Sequence, residues 1–374
     1  MRQRQVVTRS VRLLAAPLLL AGAAAGVAPA AASAASAGSV GRPGLAGPAA
    51  AFSVSGSLRG VAAVSAGDAW AVGYSGSLPG TKTLIVHWNG TAWKRVPSPS
   101  PGADASLYGV AVTSARNAWA VGCSNCSTPA GSKVLILRWN GTAWKRVPGP
   151  VRAGGYLLGV AATSTRSAWA VGYNFGGSFK DQILRWNGSS WKHVSSPSLT
   201  GSLLSAVAAT SARSAWAVGS DGTGVRTLIE RWNGSAWRRA GSPAAGGLDG
   251  VAAVSAGSAW AVGCTARCNR TLIERWDGKT WTRVPSPGLA GFVLLGVAAT
   301  SARNAWAVGN DGGAKTLTDA WNGTLWKQVP SPSPAGASGL SAVAATSVSN
   351  AWAVGCTSNC TRTLILRWNG TAWK

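Results

Sequence analysis

The chain is short of the groups that perform chemistry. Its 374 residues include 10 Asp and Glu and 2 His, against 35 Lys and Arg. General acid–base catalysis needs carboxylates or imidazoles placed together, and so thin a supply argues against an enzyme. Methionine occurs once, and Phe and Tyr four times each. Charged residues make up 12% and apolar residues 46%, a balance that excludes charge-driven disorder and promises a substantial core. No segment shows a convincing helical period of apolar residues. The six cysteines are not grouped as a metal-binding quartet, and no haem-attachment motif accompanies them.

What is abundant is tryptophan, with 21 copies. "AWAVG" occurs at 69–73, 118–122, 168–172, 215–219, 259–263, 305–309 and 351–355. Its tryptophans are Trp70, Trp119, Trp169, Trp216, Trp260, Trp306 and Trp352, spaced 44 to 50 residues apart. Each copy is followed by "WNG" or, once, "WDG", giving Trp88, Trp139, Trp186, Trp232, Trp276, Trp321 and Trp368. Five residues later come Trp93, Trp144, Trp191, Trp237, Trp281, Trp326 and Trp373. Every tryptophan belongs to the repeat, and all are assigned to the core.

Each unit parses into four short strands. "LYGVAVTS" turns at "SARN"; "AWAVG" follows; a variable loop leads to "KVLILRW"; and "TAWKRVP" ends in a Pro/Ser/Gly linker. Asn-Gly between the last two strands is a strong hairpin signal, because both central residues of a type I′ turn take positive φ. Four antiparallel strands repeated seven times predict an all-β, seven-bladed β-propeller over 57–374. Trp139 and Trp144 are then expected between blades. The chain stops at Lys374 where other repeats continue "RVPSP", so the last fourth strand is expected to be short, with "AFSVS" at 51–55 as a candidate to pair there.

The Gly-ended second strand followed by "LILRWNGTAWKRVP" resembles a kelch repeat, although one glycine stands where kelch has a pair. It is also similar to tectonin-type lectin repeats. "WDGKTW" at 276–281 resembles the Asp-box of sialidase-like propellers with one residue fewer between Asp and Gly. These resemblances imply propeller architecture and leave function open, with the tectonin likeness pointing toward carbohydrate.

The remaining residues read as repeat variants or as sites. His87 and His193 take places held by arginine in other copies, and Glu230 and Glu274 occupy equivalent positions, so no catalytic set is read from them. Cys123/Cys126, Cys264/Cys268 and Cys356/Cys360 each follow "AWAVG" directly and are expected to form three local disulfides. Six "NG[ST]" sequons are explained by the turn. Lys94-Arg95, Lys145-Arg146, Arg238-Arg239 and Arg283 fall on the outermost strand, where charge deters edge-to-edge pairing and could also hold a polyanion. Arginines before the second tryptophan are expected to stack on indole. Loops between strands two and three vary most, and together with the blade linkers they share one face. Tyr74, Tyr173, Asn174, Phe175, Asp221, Arg267 and Asp311 are the binding candidates there.

The N-terminus reads as a secretory signal over 1–34, with Arg2, Arg4, Arg9 and Arg12, the apolar "LLAAPLLLAGAAAGVA" and small-residue cleavage sites. Residues 35–56 read as a flexible lead-in. The signal and composition resemble those of exported actinobacterial proteins. Removing the four arginines takes the net charge from +25 to +21, which predicts attraction to polyanions. The expectation is a secreted or cell-wall-associated monomer without cofactor or metal. It would bind extracellular carbohydrate or an acidic cell-surface polymer through the variable loops. A protein-interaction scaffold is the alternative and a propeller-type lyase or glycosidase the third reading; specific nucleic-acid binding and a stable membrane span are not expected.

Overall fold

In the first blade, Ser57–Ser65 (β1), Asp68–Ser75 (β2), Lys82–Trp88 (β3) and Trp93–Arg95 (β4) pair in sequence order as an antiparallel sheet. The computed structural model describes residues 52–374, apart from 78, 151–153, 177, 198–199, 223–225, 289 and 313–314. The expected signal over 1–34 and the lead-in as far as residue 51 lie outside the described residues. The same sheet recurs from each repeat, so the fold is a seven-bladed propeller with two 3-10 turns as its only described helices. Inner strands follow one another around the axis, and the inner strand of the seventh blade, Gly339–Ser347 (β25), lies beside β1.

The inner strands approach so closely that little side chain fits between them. A Cβ on Gly60 would stand 2.8 Å from the Tyr108 carbonyl oxygen in the next blade, and one on Gly109 3.0 Å from that of Leu158. This crowding accounts for the "GVAA" composition of strand one.

Between blades the space is wider, and indole fills it. Trp119 of the second blade meets Trp186 at 4.9 Å and Trp191 edge-on at 5.1 Å, both from the third blade. The pattern repeats around the ring and closes where Trp352 meets Trp88 and Trp93. All tryptophans except Trp93, Trp139 and Trp368 are buried. Each such pair contributes about 0.5–1.5 kcal/mol beyond its area burial. The arginines stack as expected: the Arg185 guanidinium lies 5.1 Å from the Trp169 ring and 5.3 Å from Trp232. In the first blade His87 stacks on Trp70 at 4.2 Å instead, held by Asp68 at 2.8 Å. The sixth blade has Ala320 at this place.

One expectation fails in detail. The Asn-Gly hairpin is not a type I′ turn, since only glycine takes a positive φ: +97° at Gly90 and +101° at Gly141. Asn89 instead accepts hydrogen bonds at its Oδ1 from the N–H groups of Thr91 and Ala92. This Asx turn closes a four-residue loop between Trp88 and Trp93. Short side-chain acceptors of this kind stabilise such turns locally.

The last blade is completed from the other end of the chain. On the outer edge of its third strand, Arg362–Trp368 (β27), the short C-terminal segment supplies a bridge from Trp368 to Trp373 and two backbone hydrogen bonds between Arg367 and Lys374, at 2.8 and 2.9 Å. Beyond it, Thr363 N–H donates to the Val54 carbonyl at 2.9 Å, and Gly56 N–H to Thr361 at 2.9 Å. Ser55 bridges Arg362, while Phe52 and Val54 pack against the core between blades seven and one. Residues 52–56 therefore belong to the propeller and not to a lead-in.

Cys123–Cys126, Cys264–Cys268 and Cys356–Cys360 are disulfides as expected. They are not three equivalent staples, however. Cys264 and Cys356 are buried at the ends of their strands, whereas their partners Cys268 and Cys360 are half-buried in the loops and take left-handed backbone, with φ +49° and +61°. The physical reason is reach. With a separation of four positions, the chain must turn back sharply to bring the second sulfur to the strand end, and Arg267, Ser358 and Asn359 share the same left-handed turns. Cys126, three positions from its partner, needs positive φ only at Asn125 before it. No described helix is long and apolar enough to cross a membrane.

Candidate functional site

Strand one of each blade reads Leu-x-Gly/Ala-Val, and a bulge sits at x. A bulge adds an unpaired residue and re-aims its side chain. The bulge position on the innermost strand is held, blade by blade, by Arg59, Tyr108, Leu158, Ser205, Asp249, Leu295 and Ser341. None of the seven is fully exposed or fully buried. Desolvation pushes the Asp249 carboxyl up to about 7.

Polar aromatic chemistry concentrates on three of the seven blades. The protein's four tyrosines are Tyr74, Tyr108, Tyr156 and Tyr173, and all belong to blades one to three on the side of the variable loops. Arg59 lies with its guanidinium 5.6 Å from the Tyr74 ring, and its Nη2 donates weakly to the Tyr74 hydroxyl at 3.4 Å. Its Nε is buried without a partner. Tyr108 stands between Arg59 on one side and Tyr156 on the other, and burial pushes its phenol up to about 12 despite the nearby guanidinium. Its hydroxyl lies 3.8 Å from Cys123 Sγ, and it must donate because a disulfide sulfur carries no proton. Tyr156 donates to the Cys126 carbonyl at 2.7 Å and stacks on Tyr173 at 4.9 Å. Burial raises both of these phenols as well.

The supports are local. Gln182 donates from its amide to the carbonyls of Tyr156 and Tyr173 at 3.0 and 3.2 Å. Asp104, buried in the linker before blade two, accepts from the Ser127 N–H and hydroxyl, tying the Cys123–Cys126 loop down. Phe175 and Phe179 continue the cluster outward.

Four sequence candidates fall in or beside this cluster. Tyr74 and Phe175 are half-buried, Tyr173 is 8% exposed, and Asn174 pairs opposite Gly155 with its Oδ1 buried and unpartnered. The other three are apart from it. Asp221 is buried at the end of blade four's second strand, Arg267 is exposed with φ +66°, and Asp311 accepts from the Lys315 N–H at 2.6 Å. Arg59, Tyr108, Tyr156 and Asp249 escape the sequence reading because they lie within strand one and not in a variable loop. The signal is present all the same: x between the fixed Leu and Gly/Ala runs Arg, Tyr, Leu, Ser, Asp, Leu, Ser around the repeats.

The buried carboxylates form no catalytic pair in a cleft. Ser196 donates from one hydroxyl toward both Asp181 and Glu230, at 2.7 and 2.8 Å. Desolvation, with the nearby Asp181 charge, outweighs that bond and holds Glu230 at about 7. Glu274 accepts from Ser242 at 2.7 Å, and Asp319 has no partner on either oxygen. Glu230, Glu274 and Asp319 each lie inside the ring of blades at 0% exposure.

No family model and no curated protein matches the chain. Among solved structures it is similar to YCF48 bound to a D1 peptide, at 13% identity and TM-score 0.56 over 85% of this chain and 96% of that one. YCF48 from Cyanidioschyzon merolae gives 15% and 0.54 over 85% and 97%. A fucose-specific lectin from Aleuria aurantia gives 16% and 0.48 over 85% and 94%. At these identities the likeness is one of fold.

Proposed function

We propose that this protein is an exported, non-catalytic binding propeller that docks an acidic segment of a protein partner at the channel mouth of blades one to three. The observation that carries this reading is asymmetry. The scaffold repeats seven times, yet the one guanidinium among the seven bulge positions, Arg59, and all the tyrosines fall on blades one to three. Tyrosine and arginine supply anchor contacts at low conformational cost, and a carboxylate would satisfy the guanidinium donors that Tyr74 alone does not.

Carbohydrate recognition is the second reading, favoured by surface charge: of the ten carboxylates, Asp277 alone is exposed. Export is supported by the signal-like N-terminus and by three disulfides, which persist in oxidising compartments.

The test pairs an acidic-peptide display with a glycan array, each at low and high salt, using the protein and its Arg59→Ala variant. Peptide binding that falls at least tenfold in the variant supports the proposal. Binding to a neutral glycan that survives high salt and ignores Arg59 overturns it in favour of a lectin.

A further inference from the structure

A second binding surface lies away from the channel mouth. Blade four consists of Leu203–Ser211 (β13), Ser214–Ser220 (β14), Thr227–Trp232 (β15) and Trp237–Arg239 (β16). Between its outer edge and blade five opens a groove of about 820 Å³. Arg213 enters from the β13–β14 turn, Arg231 from β15, Arg238 and Arg239 from β16, and Lys279 from the Asx turn of blade five. These turns belong to the face opposite the variable loops, because antiparallel strands alternate direction. All five side chains except Arg231 are exposed, and no carboxylate lines the groove.

The acids nearby offset it only in part. Asp277 accepts at its Oδ1 from the N–H groups of Lys279 and Thr280, at 2.8 Å each, and those bonds with the neighbouring Lys279 ammonium hold its carboxyl below the usual range. Glu274 is buried beneath Ser242. Glu230, whose field reaches Arg239, is buried, and desolvation pushes its carboxyl up to about 7.

Comparison of the repeats marks this groove as singular. The equivalent positions between blades two and three are Arg116, Arg138, Lys145, Arg146 and Ser189, four cations with serine in place of Lys279. Every other interblade edge has fewer basic residues at these five places. The repeat therefore does not require the full set.

We infer that this groove binds a linear polymer of phosphate groups lacking aromatic bases. Five cations in so small a space repel one another, and a chain of closely spaced anions relieves that repulsion while releasing its own counterions. A tetrahedral oxyanion offers oxygens in several directions, which suits donors arriving from both walls, whereas a planar carboxylate meets one guanidinium fork. Bases are disfavoured because stacking needs a free aromatic face. Here Trp276 is covered by the Arg231 guanidinium at 5.2 Å and by Trp216 at 4.9 Å. The inference is independent of the partner proposed for the channel mouth.

The test is equilibrium binding of inorganic polyphosphate across a salt series. With five contacts, log K falls with log salt at a slope of about −3 to −4. Arg238→Ala/Arg239→Ala/Lys279→Thr is expected to bind at least tenfold more weakly, with the slope shallower by about 2. The charge-matched control Lys94→Ala/Arg95→Ala/Lys145→Ala retains wild-type affinity, and Ser189→Lys, which completes the set between blades two and three, adds a second site by stoichiometry. Equal losses in the two triple variants would assign binding to the diffuse basic rim and overturn the groove. Equal affinity for polyglutamate of matched charge would overturn the preference for phosphate. Arg59→Ala leaves polyphosphate binding unchanged, so failure here and failure at the channel mouth are separable.

Discussion

Among the buried acids, Asp319 offers the sharpest test, because nothing compensates it. It lies at 0% exposure between blades five and six, with neither oxygen hydrogen-bonded. Desolvation raises its carboxyl from 3.8 to about 7. The folded state thus holds a proton that the unfolded chain releases. Stability is unaffected below the unfolded value and declines as pH rises from about 4 to 7. The full penalty above the folded value is about 4 kcal/mol, at about 1.4 kcal/mol for each factor of ten in proton affinity. Blades two, three and seven carry Leu137, Leu184 and Leu366 at the equivalent place, so Asp319→Leu places a side chain the architecture already accepts. Differential scanning calorimetry of the variant and parent at pH 4 and pH 9 reads the effect. At pH 9 the variant should gain about 6 °C, from about 2.1 cal/mol/K per residue of unfolding entropy over the propeller. At pH 4 it should gain little. Asp319→Asn, which removes the charge with almost no change in volume, should show the same difference between the two pH values from a lower baseline. A gain equal at both pH values, or none at pH 9 in either variant, would refute the desolvation argument.

Three other perturbations follow from the packing. Trp260→Ala empties the space that Trp321 and Trp326 share with it at 4.9 and 5.1 Å, and should cost about 3–5 kcal/mol in a denaturant titration. Ala320→Arg supplies the guanidinium missing between Trp306 and Trp368 and should gain about 0.5–1 kcal/mol by the same measurement. Val54→Pro deletes the N–H that donates to Thr363 Oγ1 at 3.0 Å. Hydrogen exchange should then quicken in β27 while the equivalent strand of blade four keeps its protection.

How much is legible in the sequence differs by level. The blade can be read because each strand carries its own signal. Trp70 and its six counterparts recur at fixed phase, Asn-Gly marks the hairpin, and cysteines separated by three or four positions can reach one another without help from the fold. The left-handed turns at Cys268 and Cys360 are less visible, because no glycine announces them. The turn type of the hairpin differs from expectation because Asn89 has a side chain able to cap the loop, an option that the dipeptide rule does not weigh. The ring closure through residues 52–56 is legible in part: "AFSVS" has strand character, but its partner lies more than three hundred residues away.

The candidate site shows the limit more sharply. Arg59 and Tyr108 sit in "LRGVAA" and "LYGVAV", which the repeat presents as core strand. The bulge re-aims those side chains, and the packing of successive blades brings the tyrosines of three repeats to the side of one guanidinium. The same holds for the groove, where Arg238 and Lys279 are forty-one residues apart and belong to different blades. The sequence by itself determined the repeat, the blade and the tryptophan core, since periodic local patterns decide which faces must be buried. The tertiary structure alone decided which variable residues meet, because contacts between blades depend on the angle and order in which the ring closes.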